Sequence, residues 1–154
     1  MIYNSVLEFC LKNKPLNGEI LGLDIGTKKT GVAISTYNQS VAVPSFVIYE
    51  SNKEVLIKKI AEAFKEKDCV YIVIGFPFGW EEGLSAKWIM EIATGLASLD
   101  FSVLLYDEGR TSVKVKNVIY EAKGKMTKKQ MQSYDASVAS LILLNALEEI
   151  NIYK

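Results

Sequence analysis

The chain has 154 residues, 49% of them hydrophobic, and its 18 basic and 18 acidic side chains cancel. That length suits one domain with a proper core, and zero net charge excludes a global field that would pull the protein onto a polyanion, so any nucleic-acid site is a local patch. The sequence contains no histidine, which excludes Ser-His-Asp and Cys-His nucleophile systems and histidine metal sites in one step.

The N-terminus, MIYNSVLEFCLKNK, has neither a basic start nor an uninterrupted apolar segment. No run of about 18 apolar residues occurs, so neither a signal peptide nor a membrane span is expected. Ser5-Val-Leu-Glu8 has the form of a capping box opening a short helix, and residues 1–18 read as an N-terminal helical extension. Cys10 and Cys69 are far apart in apolar surroundings, which fits a reducing compartment, the cytoplasm by default, rather than a disulfide framework.

Residues 20–25 and 30–36 (LGLDI and GVAIS with their flanks) predict a β-hairpin closed by Gly26-Thr-Lys-Lys. Residues 41–49 predict a third strand in which Pro44 marks an edge or a bulge. A helix follows over 53–67, with Leu56, Ile60, Ala63 and Phe64 on one face. The run 69–75, CVYIVIG, is all apolar, the pattern of a strand covered on both faces. A loop, FPFGWEEG, leads to a helix over 84–99, and residues 101–106 form another buried strand that ends in Asp107 and Glu108. Strand, helix, strand in this order implies a parallel crossover. Two further helices are expected over 111–122 and 133–150, separated by the lysine-rich GKMTKKQ. The resulting expectation is an α/β fold with a mixed five-stranded sheet, three antiparallel strands followed by two parallel ones, flanked by helices, and a single domain over 1–154.

Asp24 lies inside the first hairpin strand, where an acid in an apolar run is costly unless it has a purpose. Asp107 and Glu108 stand at the C-terminal end of the last strand, and open α/β sheets place ligands outside such ends. Asp135 shares a helix face with Ala139, Ile142 and Ala146, which aims it at the sheet. Three carboxylates in one poorly solvated crevice repel one another unless a cation holds them. Oxygen donors alone favour Mg²⁺ or Mn²⁺, and a pair of such ions can drive phosphodiester hydrolysis without histidine. Each acid also has a plainer reading. Asp24 would hydrogen-bond the Gly26 turn, Asp107 and Glu108 would be strand-end polar residues of which alternation lets only one face the site, and Asp135 would complement a helix dipole.

The blocks LGLDIGTKKTGVAIS, VIGFPFGWEEG, YDEGRTS and YDASVASLILLNAL, in this order over residues 20–150, resemble the four sequence blocks of the YqgF-like Holliday junction resolvases, also described as pre-16S rRNA nucleases. The resemblance implies an RNase H-like fold and metal-dependent cleavage of structured nucleic acid, an RNA precursor or branched DNA. On it, Asp24, Glu108 and Asp135 match the metal-binding catalytic acids, with Asp107 as an accompanying acid of secondary role. The family pattern continues Asp-Glu-Arg-Leu-Thr, whereas this chain has Asp107-Glu-Gly-Arg-Thr111, so Arg110, its only arginine, is displaced by one residue.

On the substrate side, a guanidinium at Arg110 beside Thr111 suits bidentate phosphate contact. Gly26, Thr27, Lys28 and Lys29 in the hairpin turn offer amides and charges to a phosphate, or form a solvated turn. Lys123, Lys125, Lys128 and Lys129 precede Asp135 as a patch for a nucleic-acid backbone, or as a solvated charge run. Phe76, Phe78 and Trp80 are placed to stack on unpaired bases, to pack on the neighbouring helix or to make a homodimer contact. Two other functions compete. One is a catalytically silent nucleic-acid-binding or assembly module. The other is an actin-like or sugar-kinase-type ATP-binding protein, for whose second domain 154 residues leave no room. Monomer and homodimer are both open.

Overall fold

The computed structural model describes residues 1–14, 17–110 and 128–154, with the backbone alone described for 110 and 128–134. The chain opens with a two-residue strand, Ile2–Tyr3 (β1), and a helix, Val6–Lys12 (α1), whose first turn is closed by the Glu8 N–H donating to Ser5 Oγ at 3.3 Å. Hairpin strands Ile20–Ile25 (β2) and Lys29–Ser35 (β3) follow, then Ala42–Tyr49 (β4). Helix Lys53–Glu66 (α2) is capped by Asn52, which accepts from the Val55 N–H. Strand Tyr71–Phe76 (β5), helix Leu84–Ser98 (α3) and strand Val103–Asp107 (β6) complete the crossover, and a short 3₁₀ turn spans Glu108–Arg110. The last helix is Lys128–Ile152 (α4).

The six strands are ordered β1-β6-β5-β2-β3-β4. β2, β3 and β4 are antiparallel neighbours, and β2, β5, β6 and β1 run parallel. The expected five strands are therefore joined by a sixth: the N-terminal extension contributes β1 to the free edge of β6 as well as a helix. Two residues are too few for any periodicity to announce a strand. Pro44 sits on an edge strand, beside a register shift between Val32 and Ala33, where a missing N–H costs no ladder bond.

Strand alternation divides the core between two faces. Leu21, Leu23 and Ile25 of β2 pack with Leu56 and Ile60 of α2 and Ile89, Ile92 and Leu96 of α3. On the opposite face Ile20, Val73, Leu104 and Tyr106 pack with Phe9 and Cys10 of α1 and Ala139, Ile142, Leu143 and Ala146 of α4. α4 begins at Lys128, five residues before the expected start, because KKQMQ holds no glycine, proline or β-branched residue to delay a helix. Lys128 and Lys129 thus belong to a first helical turn and not to a loop. The helix expected over 111–122, with Thr111, Lys123 and Lys125, lies outside the described residues.

Candidate active site

Glycines decide how closely α4 approaches the sheet. A Cβ at Gly22 would meet the Leu143 side chain at 2.8 Å, one at Gly75 would meet Ile142 Cδ1 at 2.7 Å, and one at Gly31 would overlap the backbone carbonyl oxygen of Asp135. Asp24 is the cross-strand partner of Gly31 and stands two residues beyond Gly22. Both relations put its side chain on the α4 face. Asp24 and Asp135 are therefore neighbours across the space that Gly31 leaves open.

Asp135 lies about two turns into α4. The helix dipole acts within the first turn, so the dipole reading of this acid fails. Its carboxylate is buried, and Oδ2 makes no hydrogen bond among the described residues. Lys29 Nζ approaches that oxygen to 2.9 Å as an ion pair, with side-chain exposures of 36% for the lysine and 12% for the acid. Among the described residues, this ion pair is what compensates the oxygen. Lys29, a candidate phosphate contact or a solvated turn residue by sequence, is the ion-pair partner of Asp135 here. The Gly26 N–H donates to the Lys29 carbonyl at 2.9 Å, which leaves that turn amide without need of the Asp24 carboxylate. Thr27 and Lys28 are exposed at the tip of the turn.

The end of β6 stands two strands away from β2, about 10 Å at the usual strand spacing. Leu105 faces α2 and α3 and Tyr106 faces α4, so alternation sends Asp107 away from Asp24. Asp107 Oδ1 accepts the Gly109 N–H at 2.9 Å and closes the 3₁₀ turn that begins at Glu108. Arg110 ends the same turn. Among the described residues, no three acidic or cysteine side chains are gathered closely enough to hold a metal ion. The structure thus brings Asp24, Lys29 and Asp135 together and leaves Glu108 on the neighbouring part of the same sheet edge.

A brace from the other face steadies the hairpin turn: Trp88 Nε1 of α3 donates to the Gly26 carbonyl at 3.0 Å. Neither this brace nor the Lys29–Asp135 pair was read from the sequence, since both join residues far apart in the chain. The close approach at Gly31 did have a signal, a lone glycine inside a strand. The three loop aromatics part company. Phe76 is buried, Phe78 packs on it edge to face at 4.9 Å, and Trp80 remains 78% exposed.

A mixed sheet of this strand order with helices on both faces defines an RNase H-like α/β fold. The family described as RuvX, Holliday junction resolvase, matches residues 18–149. The chain is 32% identical over 154 residues to the "Putative pre-16S rRNA nuclease" of Rickettsia bellii (strain OSU 85-389), covering 98% of this chain and 99% of that protein. It is 35% identical over 147 residues to the protein of the same name from Orientia tsutsugamushi (strain Ikeda), covering 94% and 91%. Among solved structures, T. thermophilus RuvC in complex with Holliday junction substrate superposes with a TM-score of 0.60 at 12% identity, over 88% of this chain and 97% of that one, a likeness of fold. The chain belongs to the RuvX Holliday junction resolvase family, a family of nucleases, hydrolases of phosphodiester bonds.

Proposed function

We propose that this chain is a divalent-metal-dependent nuclease in which Asp24, Glu108 and Asp135 hold Mg²⁺ or Mn²⁺. Its substrate on this reading is structured nucleic acid, either precursor 16S ribosomal RNA or a branched DNA junction. One observation carries the proposal: among the described residues a buried carboxylate oxygen of Asp135 is paired with the Lys29 charge without a hydrogen bond, on a helix whose backbone packs against Gly31, the cross-strand partner of Asp24. An oxygen so compensated, in an all-carboxylate donor set, fits a hard cation. When bound there, such an ion supplies water activation and stabilisation of the leaving oxygen.

The chain's own groups prepare the site. Gly31 admits the helix, which brings the elements that carry Asp24 and Asp135 into close contact, and Lys29 supplies a counter-charge to Asp135. Lys29 is half-exposed, and its flexible ammonium can pass from Asp135 to an incoming phosphate without leaving the site. Thr27 and Lys28 at the turn tip, together with Arg110 and the lysines at 125, 128 and 129, are the proposed contacts to the nucleic-acid backbone. The same reading places the protein in the cytoplasm as one domain, as monomer or homodimer. It is supported by two buried free cysteines and by the lack, among the described residues, of a helix long and apolar enough to cross a membrane.

The test is cleavage of a substrate panel with Mg²⁺ or Mn²⁺, comparing wild type with Asp24→Asn. The panel holds a ribosomal RNA precursor, a four-way DNA junction and single strands. Cleavage of at least one substrate, abolished in the variant, is expected. No cleavage of any substrate, or equal activity in the variant, sinks the proposal. The separation of Glu108 from the Asp24 and Asp135 pair favours a second reading, a binding module without cleavage. Wild-type binding to the panel with no cleavage under either metal would select it.

A further inference from the structure

The loop between β5 and α3, Pro77 to Gly83, is built to hold one aromatic ring out in solvent. Trp80 is 78% exposed, and Leu84 at the start of α3 is 85% exposed, whereas the other rings of the loop are packed inward. Its backbone is bonded at nearly every step. The Phe78 N–H donates to the Phe76 carbonyl, the Trp80 N–H to the Pro77 carbonyl and the Gly83 N–H to the Trp80 carbonyl, each at 3.0 Å. Gly79 turns with φ of +95°, a conformation L side chains rarely adopt, and its N–H donates to Glu81 Oε1 at 2.9 Å. That bond, first among its causes, holds the Glu81 carboxyl below the usual carboxylate range. The indole is therefore carried on an ordered frame.

The frame sits beside the candidate active site. β5 and β2 are hydrogen-bonded neighbours, with Leu23 level with Ile74, so the loop leaves its strand at the height of the Gly26 turn. Trp88, one helix turn into α3 from this loop, is bonded to Gly26 itself. The helix that follows the loop is thus tied directly to the Asp24 hairpin.

We propose that Trp80 is a stacking platform for an unpaired base of the substrate, next to the bond to be cut. This makes the preferred substrate single-stranded or branched and not a continuous duplex, and it rests on the nuclease reading above. A loop backbone already bonded in place loses little freedom when a base stacks on the ring it carries, and the indole sheds water from an apolar face. Every base has such a face, so the contact selects for unpairing rather than for sequence. Glu81 and Glu82 beside the ring repel phosphate. Backbone contact is thereby left to the hairpin and the lysines, while the loop meets the base alone.

The test is binding without cleavage, in EDTA, of single-stranded DNA and RNA oligonucleotides and of the same sequences annealed as blunt duplexes. Tryptophan fluorescence is the readout for wild type, and fluorescence anisotropy of labelled oligonucleotides for Trp80→Ala and Trp80→Phe. Single strands are expected to quench wild-type fluorescence. Trp80→Ala is expected to weaken single-strand binding about 5- to 100-fold, the usual worth of one stacked base, with Trp80→Phe retaining most affinity and duplex binding unchanged. Unchanged single-strand affinity, or equal loss on duplexes, overturns the proposal. So does a loss of self-association in Trp80→Ala measured by sedimentation, which would make the ring a protein contact. If wild type binds no nucleic acid at all, the nuclease reading itself falls; if it binds and cleaves with Trp80→Ala unaffected, the platform alone falls.

Discussion

Gly31 of β3 lies directly under the carbonyl oxygen of Asp135 in α4, so closely that a single methyl group there would overlap it. Because Asp24 pairs with Gly31 across the hairpin, this one contact sets how the strand acid meets the helix acid. A backbone atom is on the far side, and backbone cannot rotate away as a side chain can.

Gly31→Ala is therefore expected to cost about 1–3 kcal/mol of stability, the usual cost of an overpacked site, and to abolish cleavage by lifting Asp135 away from Asp24. Gly22→Ala presses on the Leu143 side chain instead, which can shift. It should lose stability but keep its activity per folded molecule. Urea midpoints and cleavage rates for the two variants check this, and equal loss of activity in both would refute the argument.

Lys29→Met removes the counter-charge that the described residues give the buried Asp135 oxygen. Exposed pairs are worth about 0–1 kcal/mol and broken buried ones about 3–5, so this half-buried pair is expected to cost roughly 1–2 in the metal-free protein. Mn²⁺ should then raise the melting temperature of the variant more than that of wild type, since no lysine competes for the carboxylate. An identical Mn²⁺ shift in both proteins would show that Lys29 and the ion do not share a site.

Trp88→Phe keeps an aromatic ring against the core and removes the bond to Gly26 together with part of the indole's packing. The expected loss is about 1 kcal/mol of stability, with faster amide exchange at Thr27 and Lys28 and slower cleavage. Unchanged exchange in the turn would mean that the indole does not brace it.

Burial pushes the Cys69 thiol up to about 12, with Glu19 and Asp68 adding to the shift and Lys67 opposing it. In the unfolded chain a thiol titrates near 8.5, roughly. Between these values the folded state binds the extra proton, so its contribution is complete below the lower one and is lost as pH rises towards the higher. Urea midpoints are expected to fall on the alkaline side more steeply for wild type than for Cys69→Ala. Parallel pH profiles would exclude the thiol as the cause, and ready labelling of native Cys69 by a thiol reagent at neutral pH would contradict its burial.

Much of the fold could be read locally. The hairpin, the helix Lys53–Glu66 and the crossover all announce themselves by spacings of two or nearly four residues, which depend only on which side of an element faces apolar neighbours. Pro44 points to an edge or a bulge because its missing N–H is tolerated in few places, and it lies on an edge strand beside a register shift. The same local rules placed Asp24 in a strand and Asp135 on a helix face aimed at the sheet.

What the sequence determined by itself was therefore the kind of protein: which acids stand on which elements, and that no histidine shares their work. Tertiary structure alone decided how those acids meet. β1 exists because β6 offers it an edge, Lys29 answers Asp135 because α4 crosses β3 at Gly31, and Trp80 stands exposed while Phe76 and Phe78 turn inward. The physical reason is common to all three. Periodicity records a residue's own environment, while a contact between distant residues depends on how closely two whole elements can pack, and that distance is written in the side chains of both.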